Sequence, residues 1–456
     1  MASPCSSAFV HAVAGIPTAR SSGAARCGAR PAPAGRVAAA AAHVGAAAAV
    51  SSTAAVGAAA SAFAGGSSAV AAAGSAARHE GPATVDAAVA AATVMMAIAP
   101  GSRVKVGVLG CTGSVGQRFL TLLEGHPWFD VVALGASPRS AGKPYAEAAN
   151  WKQATPIPAA YAGLTVSECS PSAGAMADCA VIFSGLDASI AGEVEDAFAA
   201  AGAAVFSNAK NHRMDADVPI LIPPVNADHV DILTAQRAGR GWSTGCIVTN
   251  ANCSTTALTI ALAPIQRAFG IKSLTVATMQ AISGSGYPGL PSMDILDNVV
   301  PLIGGEEEKM EEEALKILGG LSEAKDAFAY ADLTVSAMCN RVNVLDGHTE
   351  VVSLKLVKPA TPAEVIAAIE AYPSVSKDLN LPSAPAKDVV YTAAADRPQP
   401  RLDRMLGAGF TVSVGRVRGC NIADIRLVCM GHNTIVGAAG GSVLNAELCI
   451  VKGLIG

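Results

Sequence analysis

One cysteine of the chain stands where its thiol could act as a nucleophile. Cys253 precedes an apolar run with helical periodicity at residues 257–264. The start of a helix has unpaired backbone N–H groups and the positive end of the helix dipole, and both stabilise a thiolate. We therefore expect a Cys253 thiolate suited to acyl transfer. A cysteine at such a position is more often an inert buried thiol, so the hypothesis depends on partner residues elsewhere.

Two residues further along the chain could be those partners. Arg341 and His348 lie between two strand-like runs, and Gly347 directly precedes the histidine. A histidine after a glycine turn could act on a thiol as general acid/base, and an arginine can bind a carboxylate through two parallel hydrogen bonds. Taken singly, His348 would more often be a structural histidine and Arg341 a surface arginine.

A glycine-rich turn predicts a dinucleotide site. We expect a buried strand at residues 104–109 and a helix at 117–123, with the turn GCTGSVG between them. Backbone N–H groups at such a helix start can face a pyrophosphate. The spacing GxxGxxG differs from the usual GxGxxG, so an ordinary strand-to-helix turn is the alternative. The predicted cofactor-binding residues in the turn are Gly110, Thr112, Gly113, Ser114, Val115 and Gly116.

The end of the next predicted strand, residues 130–134, favours NADP over NAD. An NAD enzyme normally has an Asp or Glu at this point to bind the ribose 2′-hydroxyl. This chain has Ser137, Arg139 and Ser140 instead, and their hydroxyls and guanidinium suit a 2′-phosphate.

Alternating strands and helices indicate an α/β fold. Strand-like runs at residues 179–184 and 204–207 flank a helix-like run at 191–201, which is the rhythm of a doubly wound parallel sheet. Such sheets bind ligands at the carboxyl ends of their strands, so Ser184 and Gly185 are expected near the cofactor.

Four motifs, in this order and spacing, resemble those of aspartate-semialdehyde dehydrogenases, most closely the archaeal and fungal branch. They are the glycine-rich turn, ASPRSAGK at 136–143, NANCSTT at 250–256 and NRVNVLDGHTE at 340–350. The resemblance extends from Val104 to the C-terminus. It implies a Rossmann-like, doubly wound NADP-binding domain and a second, α+β catalytic and dimerisation domain.

The resemblance implies the reaction and its catalytic residues. Cys253 matches the family's nucleophile, His348 its acid/base and Gln280 its active-site glutamine. The reaction is the NADPH-dependent reductive dephosphorylation of L-4-aspartyl phosphate to L-aspartate 4-semialdehyde through a Cys thioester. It belongs to the biosynthesis of lysine, threonine, methionine and isoleucine. We expect no metal, because the chemistry requires none.

The resemblance also implies residues that bind the substrate. Arg341 matches the arginine that binds the α-carboxylate, while Glu306 and Lys309 match the residues for the α-amino group and the phosphate. Glu307 or Glu308 could have this role instead of Glu306. The alternative is that these acidic residues only stabilise a helix start, where they are favoured in any case. The predicted phosphate-binding residues also include Arg213 and Asn252.

The C-terminal segment is expected to return to the cofactor domain. By resemblance, Asn433 lies near the nicotinamide, and glycines such as Gly440 allow close approach of the cofactor, with tight helix packing as the alternative. Residues 222–245 look like a connection rather than core. The predicted domains are a leader at 1–100, an NADP-binding domain at 101–252, a catalytic and dimerisation domain at 253–431 and the returning segment at 432–456.

The leader has the composition of an organellar transit peptide. Ala, Ser and Gly dominate it, and no acidic residue precedes Glu80. A low-complexity tail without an address is the alternative. We expect a plastid address in preference to a mitochondrial one. The positive charges of the leader before Glu80 are Arg20, Arg26, Arg30, Arg36 and Arg78.

Composition and charge narrow the function classes. The 456 residues are 51% hydrophobic, but much of this is alanine in the leader, and no stretch has the Leu/Ile/Val/Phe content of a membrane span. The formal charge of -4 excludes nucleic-acid binding by bulk charge. The expected partners are aspartyl phosphate, aspartate semialdehyde and phosphate, with a homodimer or homotetramer as the assembly.

Other functions remain open at this point. Malonyl-CoA reductase shares the scaffold, and Arg341 would also suit its substrate. N-acetyl-glutamyl-phosphate reductase shares the pairing of cysteine and histidine. From a different class, a non-catalytic NADP-binding sensor or scaffold could keep the fold.

Overall fold

The computed structural model describes residues 103 to 455, so the predicted leader lies outside the described residues. These residues form two large sheets with helices packed against them and one short two-stranded hairpin. Among them, no helix is both long and apolar enough to cross a membrane.

The first sheet consists of six parallel strands. In chain order they are β1 (Val104–Leu109), β2 (Phe129–Ala136), β3 (Val166–Glu168), β4 (Val181–Ser184), β5 (Ala204–Ser207) and β6 (Cys246–Thr249). Their order in the sheet is β3-β2-β1-β4-β5-β6, so the chain winds outward in both directions from β1. β4, β5 and β6 are buried along their whole length, as expected when helices cover both faces of a parallel sheet. The predicted doubly wound α/β fold is confirmed.

The second sheet is mixed and has seven strands. They are β7 (Ile271–Gln280), β8 (Val299–Val300), β11 (Thr334–Val342), β12 (His348–Leu356), β13 (Val389–Thr392), β14 (Val412–Gly419) and β15 (Ile425–Gly431). The order is β13-β14-β15-β12-β7-β11-β8, with parallel pairing only for β7 with β11 and β13 with β14. A separate hairpin joins β9 (Gly320–Leu321) to β10 (Phe328–Ala329). This is the predicted α+β arrangement.

Helices connect and cover the strands. The α-helices are Ser114–Leu123, Tyr145–Ala148, Ala159–Ala162, Ala188–Ala200, Pro223–Asn226, Leu233–Arg240, Cys253–Phe269, Ser292–Ile295, Glu306–Ile317, Pro362–Glu370, Val375–Asp378, Pro400–Asp403 and Gly440–Val451. Shorter 3₁₀ turns occupy Gly174–Asp178, Ala227–Ile232, Ile282–Ser285 and Leu406–Gly409, and a π-helical turn occupies Ile435–Ala439. The C-terminal helix packs against the core of the first sheet, as expected of a returning segment.

The structure corrects the prediction for residues 222–245. Most of this stretch is helical rather than a connection, and Val230, Ile232 and Leu233 are fully buried. Proline suits the first turn of a helix, and Gly241 ends the last helix of the stretch in the left-handed conformation. The prolines and glycines therefore mark helix ends here.

Strand register places three polar residues side by side on the inner face of the second sheet. Arg341 on β11 pairs with Gln280 on β7. Thr349 on β12 pairs with Met279, so His348 stands next to Gln280 on the other side. All three side chains face the helix Cys253–Phe269, because residues alternate between the two faces of a strand.

Candidate active site

Cys253 begins a long helix that is capped by the residue before it. The Asn252 side-chain oxygen accepts hydrogen bonds from the backbone N–H groups of Ser254 (3.0 Å) and Thr255 (3.3 Å). Asparagine is among the best N-capping residues, so the sequence itself fixes where this helix starts. The cap holds the cysteine at the first helical position, as predicted.

The cysteine lies against the predicted histidine. Nε2 of His348 is 3.1 Å from Sγ of Cys253. The other ring nitrogen, Nδ1, accepts a hydrogen bond from the backbone N–H of Ala281 at 3.0 Å. Because Nδ1 is an acceptor, the proton of the neutral ring is on Nε2 and points to the sulfur.

Burial controls the charge of this pair. It raises the pKa of Cys253 to about 12; Glu306 also raises this pKa, and Arg341 and Arg213 oppose the shift. Burial, with Arg341 and His432, lowers the pKa of His348 to about 3. Both groups are therefore neutral at pH 7. The loss of solvation therefore opposes the expected thiolate, which stays a prediction.

The other two inner-face residues complete one wall of the site. Arg341 is 5% exposed and donates to the carbonyl of Ala281 at 2.7 Å. Gln280 is fully buried and donates to the Thr278 hydroxyl at 3.3 Å. Gly284 faces the same space, since a Cβ there would lie 2.6 Å from Nη1 of Arg341 and 3.2 Å from the His348 ring. Sequence reasoning did not single out Gly284.

The start of the helix Glu306–Ile317 lies beside the nucleophile. The Asn252 amide donates to Glu306 at 2.7 Å, and Lys309 donates to the other oxygen of Glu306 at 3.2 Å. Glu307 instead accepts the backbone N–H of Cys339 in the second sheet, and Glu308 is exposed. Of the three glutamates, the geometry favours Glu306 as the one that meets a substrate.

Arg213 reaches the site from the first sheet's side. Its Nη1 pairs with Glu313 at 2.9 Å, and its Nη2 donates to the carbonyl of Asn208 at 2.9 Å. The other oxygen of Glu313 accepts the backbone N–H of Asn252 at 2.6 Å. Sequence reasoning missed Glu313, although it lies two helical turns beyond Glu306 and so on the same face of the helix.

Cys253, Asn252, Arg213 and Gly284 line a cavity of about 230 Å³, whereas His348, Arg341, Gln280, Glu306 and Lys309 are not among its lining residues. Predicted catalytic, substrate and cofactor residues meet there, which supports one shared site. The predicted residues that line it are Ser114, Val115, Arg213, Asn252, Cys253 and Asn433. The lining residues that the sequence did not single out are Asn208, Ala251, Ser283, Gly284, Gly286, Thr434, Gly437 and Ala438.

The glycine-rich turn has the close packing that a dinucleotide fingerprint requires. Gly110 has a φ of +68°, and a Cβ there would lie 2.5 Å from the carbonyl oxygen of Gly185. A Cβ on Gly116 would collide with the carbonyl oxygen of Gly110. Gly113 caps the helix, and the carbonyl of Thr112 accepts from Gln117 at 2.9 Å. The turn thus brings the N-terminus of the helix Ser114–Leu123 to the cavity, where it fits a pyrophosphate.

Other predicted cofactor residues lie away from the cavity. Ser137 and Arg139 are exposed after β2, and the N–H of Ser140 closes their turn on the Ser137 carbonyl at 2.8 Å. This open turn leaves the side chains free to meet a 2′-phosphate. Ser184 is fully buried, and its hydroxyl donates to Glu195 at 2.6 Å, so a role for that side chain in cofactor binding stays a prediction.

The C-terminal segment contributes one polar bridge. Asn433 accepts the backbone N–H of Gly347 at 2.9 Å and donates to the Ser283 hydroxyl at 2.8 Å, so it joins the turns on either side of His348. Gly440 packs closely against Phe410, which favours the helix-packing explanation for this glycine. Gly437 lies against Cys253 instead. A Cβ on Gly437 would lie only 3.0 Å from the Cβ of the cysteine.

The His, Cys, Asp and Glu side chains of residues 103 to 455 bear on metal and disulfide chemistry. No group of three or more His, Cys, Asp or Glu residues is arranged there to hold a metal ion. Every cysteine in that part of the chain is a free thiol.

Two family models match the chain. One is described as "Semialdehyde dehydrogenase, NAD binding domain" and matches residues 105–233. The other is described as "Semialdehyde dehydrogenase, dimerisation domain" and matches residues 262–436.

Curated and solved proteins resemble the chain over nearly their whole length. An aspartate-semialdehyde dehydrogenase of Cryptococcus neoformans is 51% identical over 364 residues, which cover 78% of this chain and 100% of that protein. One of Methanothermobacter thermautotrophicus is 49% identical over 347 residues, covering 76% and 98%. The crystal structure of the Candida albicans enzyme with NADP is 46% identical with a TM-score of 0.72, covering 77% of this chain and 99% of that one.

Proposed function

The chain belongs to the aspartate-semialdehyde dehydrogenase family, and from this premise we propose how its own residues convert L-4-aspartyl phosphate to L-aspartate 4-semialdehyde. Its cofactor is NADP. One observation carries the assignment: the Cys253 sulfur lies 3.1 Å from Nε2 of His348 at a cavity that also contains Arg213 and the turn residue Ser114.

In the first step, the Cys253 sulfur attacks the acyl carbon of the aspartyl phosphate. A C–S bond forms, the C–O bond to phosphate breaks, and the thiol proton leaves with the phosphate. The Nε2–H of His348 stabilises negative charge on the sulfur as the attack begins. The backbone N–H groups at the start of the helix are suitable donors for the oxyanion, each typically worth about 3 kcal/mol in such sites.

In the second step, the thioester is reduced to the aldehyde and the Cys253 thiol is restored. NADPH, when bound, supplies the hydride for this reduction. His348 donates its Nε2 proton to the departing sulfur and regains one proton from solvent, so charge and atoms balance over the cycle. The residues proposed to hold the cofactor are the helix start at Ser114 and Val115 for the pyrophosphate and Arg139 for the 2′-phosphate.

The charged residues around Cys253 suit aspartyl phosphate at each end. Arg341 is proposed to bind the α-carboxylate and Glu306 the α-amino group, while Arg213, Lys309 and Asn252 bind the phosphate. Glu306 already contacts Asn252 beside the nucleophile, and a malonyl group would offer it no amine. The comparisons give no support to the malonyl-CoA reductase or sensor alternatives.

A two-variant experiment tests this function. The purified protein is given aspartate semialdehyde, phosphate and NADP, and NADPH formation is followed by absorbance. We expect turnover by the wild type and by Cys420→Ser, a matched control at a partly exposed cysteine, and none above background by Cys253→Ser. Full activity of Cys253→Ser would overturn the mechanism, and activity with malonyl-CoA alone would overturn the substrate.

The assembly is proposed to be a homodimer or homotetramer formed through the outer face of the second sheet. Met338, Ala277 and Val351 form one row across β11, β7 and β12 on that face. Met338 is 68% and Val351 42% exposed, so the row is an apolar surface in the single chain. The family model for this part of the chain is a dimerisation domain, which supports the same surface.

The leader is proposed to send the enzyme to the plastid, and the amino-acid products named above suit that compartment. Its support is compositional: it is rich in Ala and Ser, contains arginines and has no acidic residue before Glu80. Residues 1–100 fused to a fluorescent protein are expected to enter plastids in plant cells. Entry into mitochondria alone, or retention in the cytosol, would contradict this address.

A further inference from the structure

The helix Glu306–Ile317 carries four charged residues on one face. Glu306, Lys309, Glu313 and Lys316 are spaced i, i+3, i+7 and i+10, which brings them into line on an α-helix. Only the first two are assigned to the substrate. Glu313 is 2% exposed and Lys316 is fully buried, so neither can act as an ordinary solvated surface charge.

Glu313 connects the two parts of the site that must meet the leaving phosphate. One of its oxygens pairs with Nη1 of Arg213 at 2.9 Å, and the other accepts the backbone N–H of Asn252 at 2.6 Å. Asn252 is the cap directly before Cys253. A single carboxylate thus fixes the distance between the guanidinium of Arg213 and the start of the nucleophile's helix.

Lys316 holds the chain segment that carries Arg213. Its ammonium donates to the carbonyl oxygens of Arg213 (2.7 Å), Asp215 (2.8 Å) and Val218 (2.7 Å), which uses all of its protons. The ring of Phe328 lies 4.3 Å from the same nitrogen. All three hydrogen bonds of Lys316 therefore go to the loop of residues 213–218. The first residue of this loop, Arg213, lines the cavity.

The Arg213 side chain itself leaves several of its five N–H donors unused. Nη1 and Nη2 bind Glu313 and the Asn208 carbonyl, while the buried Nε–H has no partner among the described residues. Arg213 lines the cavity next to Cys253. A guanidinium held at two points, with donors left over, suits an anion that arrives in the cavity.

We propose that Glu313 and Lys316 are positioning residues that set the affinity for phosphate by holding Arg213 beside Cys253. The inference rests on the proposed function, in which Arg213 binds the phosphate. Glu313 and Lys316 do not touch the substrate; they act through Arg213 and its loop. Their loss should weaken phosphate binding more than it slows the chemical steps.

Glu313→Gln is the most informative change. The glutamine oxygen can still accept the Asn252 N–H, but its amide group then faces Arg213 and removes the charge that holds it. We expect the KM for phosphate to rise about tenfold, the size of a lost charge-assisted hydrogen bond. The kcat and the KM values for aspartate semialdehyde and NADP should stay within about threefold, because the contacts of Cys253 remain.

The experiment measures NADPH formation by the full-length protein with phosphate varied. Its variants are Glu313→Gln, Lys316→Met and Arg213→Ala, with Glu312→Gln as the matched control at an exposed position of the same helix. The double variant Arg213→Ala/Glu313→Gln is expected to bind phosphate no more weakly than Arg213→Ala alone, since Glu313 acts through Arg213. If Lys316→Met does not fold, Glu313→Gln and the double variant still decide.

Three results would overturn the inference in distinguishable ways. A phosphate KM that rises in Arg213→Ala but not in Glu313→Gln would contradict the positioning role and leave the proposed function standing. An unchanged phosphate KM in Arg213→Ala would remove the phosphate role of Arg213 itself, and the inference with it. Equal rises in all three KM values for Glu313→Gln would indicate general distortion and also count against positioning.

Discussion

The backbone N–H of Ala281 donates to Nδ1 of His348 at 3.0 Å and thereby selects one tautomer of the ring. Nε2, 3.1 Å from the Cys253 sulfur, then carries the proton. A doubly protonated ring would set an Nδ1–H against the N–H of Ala281. His348 is therefore arranged to donate a proton toward the sulfur, and it is a poor acceptor of the thiol proton.

A pair of amide substitutions tests this role. The amide nitrogen of glutamine can replace the Nε2–H of His348, whereas the shorter asparagine can mimic only the Nδ1 side of the ring. Loss of an acid–base group typically costs 10²–10⁴-fold, so we expect His348→Asn to lose about a thousandfold in kcat and His348→Gln to keep about tenfold more activity. Steady-state kinetics with aspartate semialdehyde measures both. Equal activities would show that the Nε2–H donor is unimportant.

The pH dependence of cysteine alkylation reports the charge of the pair. With the pKa of Cys253 raised to about 12, the sulfur is a protonated thiol at pH 7, and its thiolate fraction grows with pH. We expect the alkylation rate to rise roughly tenfold per pH unit between pH 6 and 9, as for any thiol below its pKa. Mass spectrometry of the Cys253 peptide from a Cys420→Ser background measures the rate. A plateau at pH 6 to 7 would instead mean a stable thiolate–imidazolium pair.

The sequence predicted the reacting side chains better than their surroundings. Cys253, Arg341 and His348 lie in short motifs at the ends of a helix and strands, where local pattern and chemistry coincide. Ala281 acts through its backbone, and the role of Glu313 arises only when separate elements pack together. Local pattern cannot report either contribution. Burial raises the pKa of Cys253 and so opposes the thiolate expected at the helix start, and burial depends on the whole fold rather than on the position of Cys253 in its helix.

Gly284 should tolerate no side chain. A Cβ there would lie 2.6 Å from Nη1 of Arg341 and 3.3 Å from Nε2 of His348, in the space between the two groups that face the substrate. We expect Gly284→Ala to lower kcat/KM for aspartate semialdehyde at least about a hundredfold, since small misplacements of reacting groups have effects of this size. The thermal midpoint should change little. Ser285→Ala, at an exposed position of the same 3₁₀ turn, serves as the control, and equal losses in both variants would argue for a loop effect.

Preference for NADP should depend on Arg139. The residue is exposed on the turn after β2, where a guanidinium can form charge-assisted hydrogen bonds with a 2′-phosphate. We expect Arg139→Ala to raise the KM for NADP about tenfold or more, the size of such a bond, and to leave the KM for NAD nearly unchanged. Arg103→Ala, another exposed arginine near the start of β1, is the matched control. A parallel rise for both cofactors would place the contact elsewhere on the nucleotide.

The row of apolar residues on the outer face of the second sheet should hold the subunits together. Met338 and Val351 flank Ala277 on neighbouring strands, and a lysine at the centre of such an interface would bury an unpaired charge. We expect Met338→Lys to shift the assembly to monomers in analytical ultracentrifugation. Met293→Lys is the control, because Met293 is 85% exposed on a helix away from this row. An unchanged sedimentation profile of Met338→Lys, at concentrations where the wild type associates, would assign the interface to another surface.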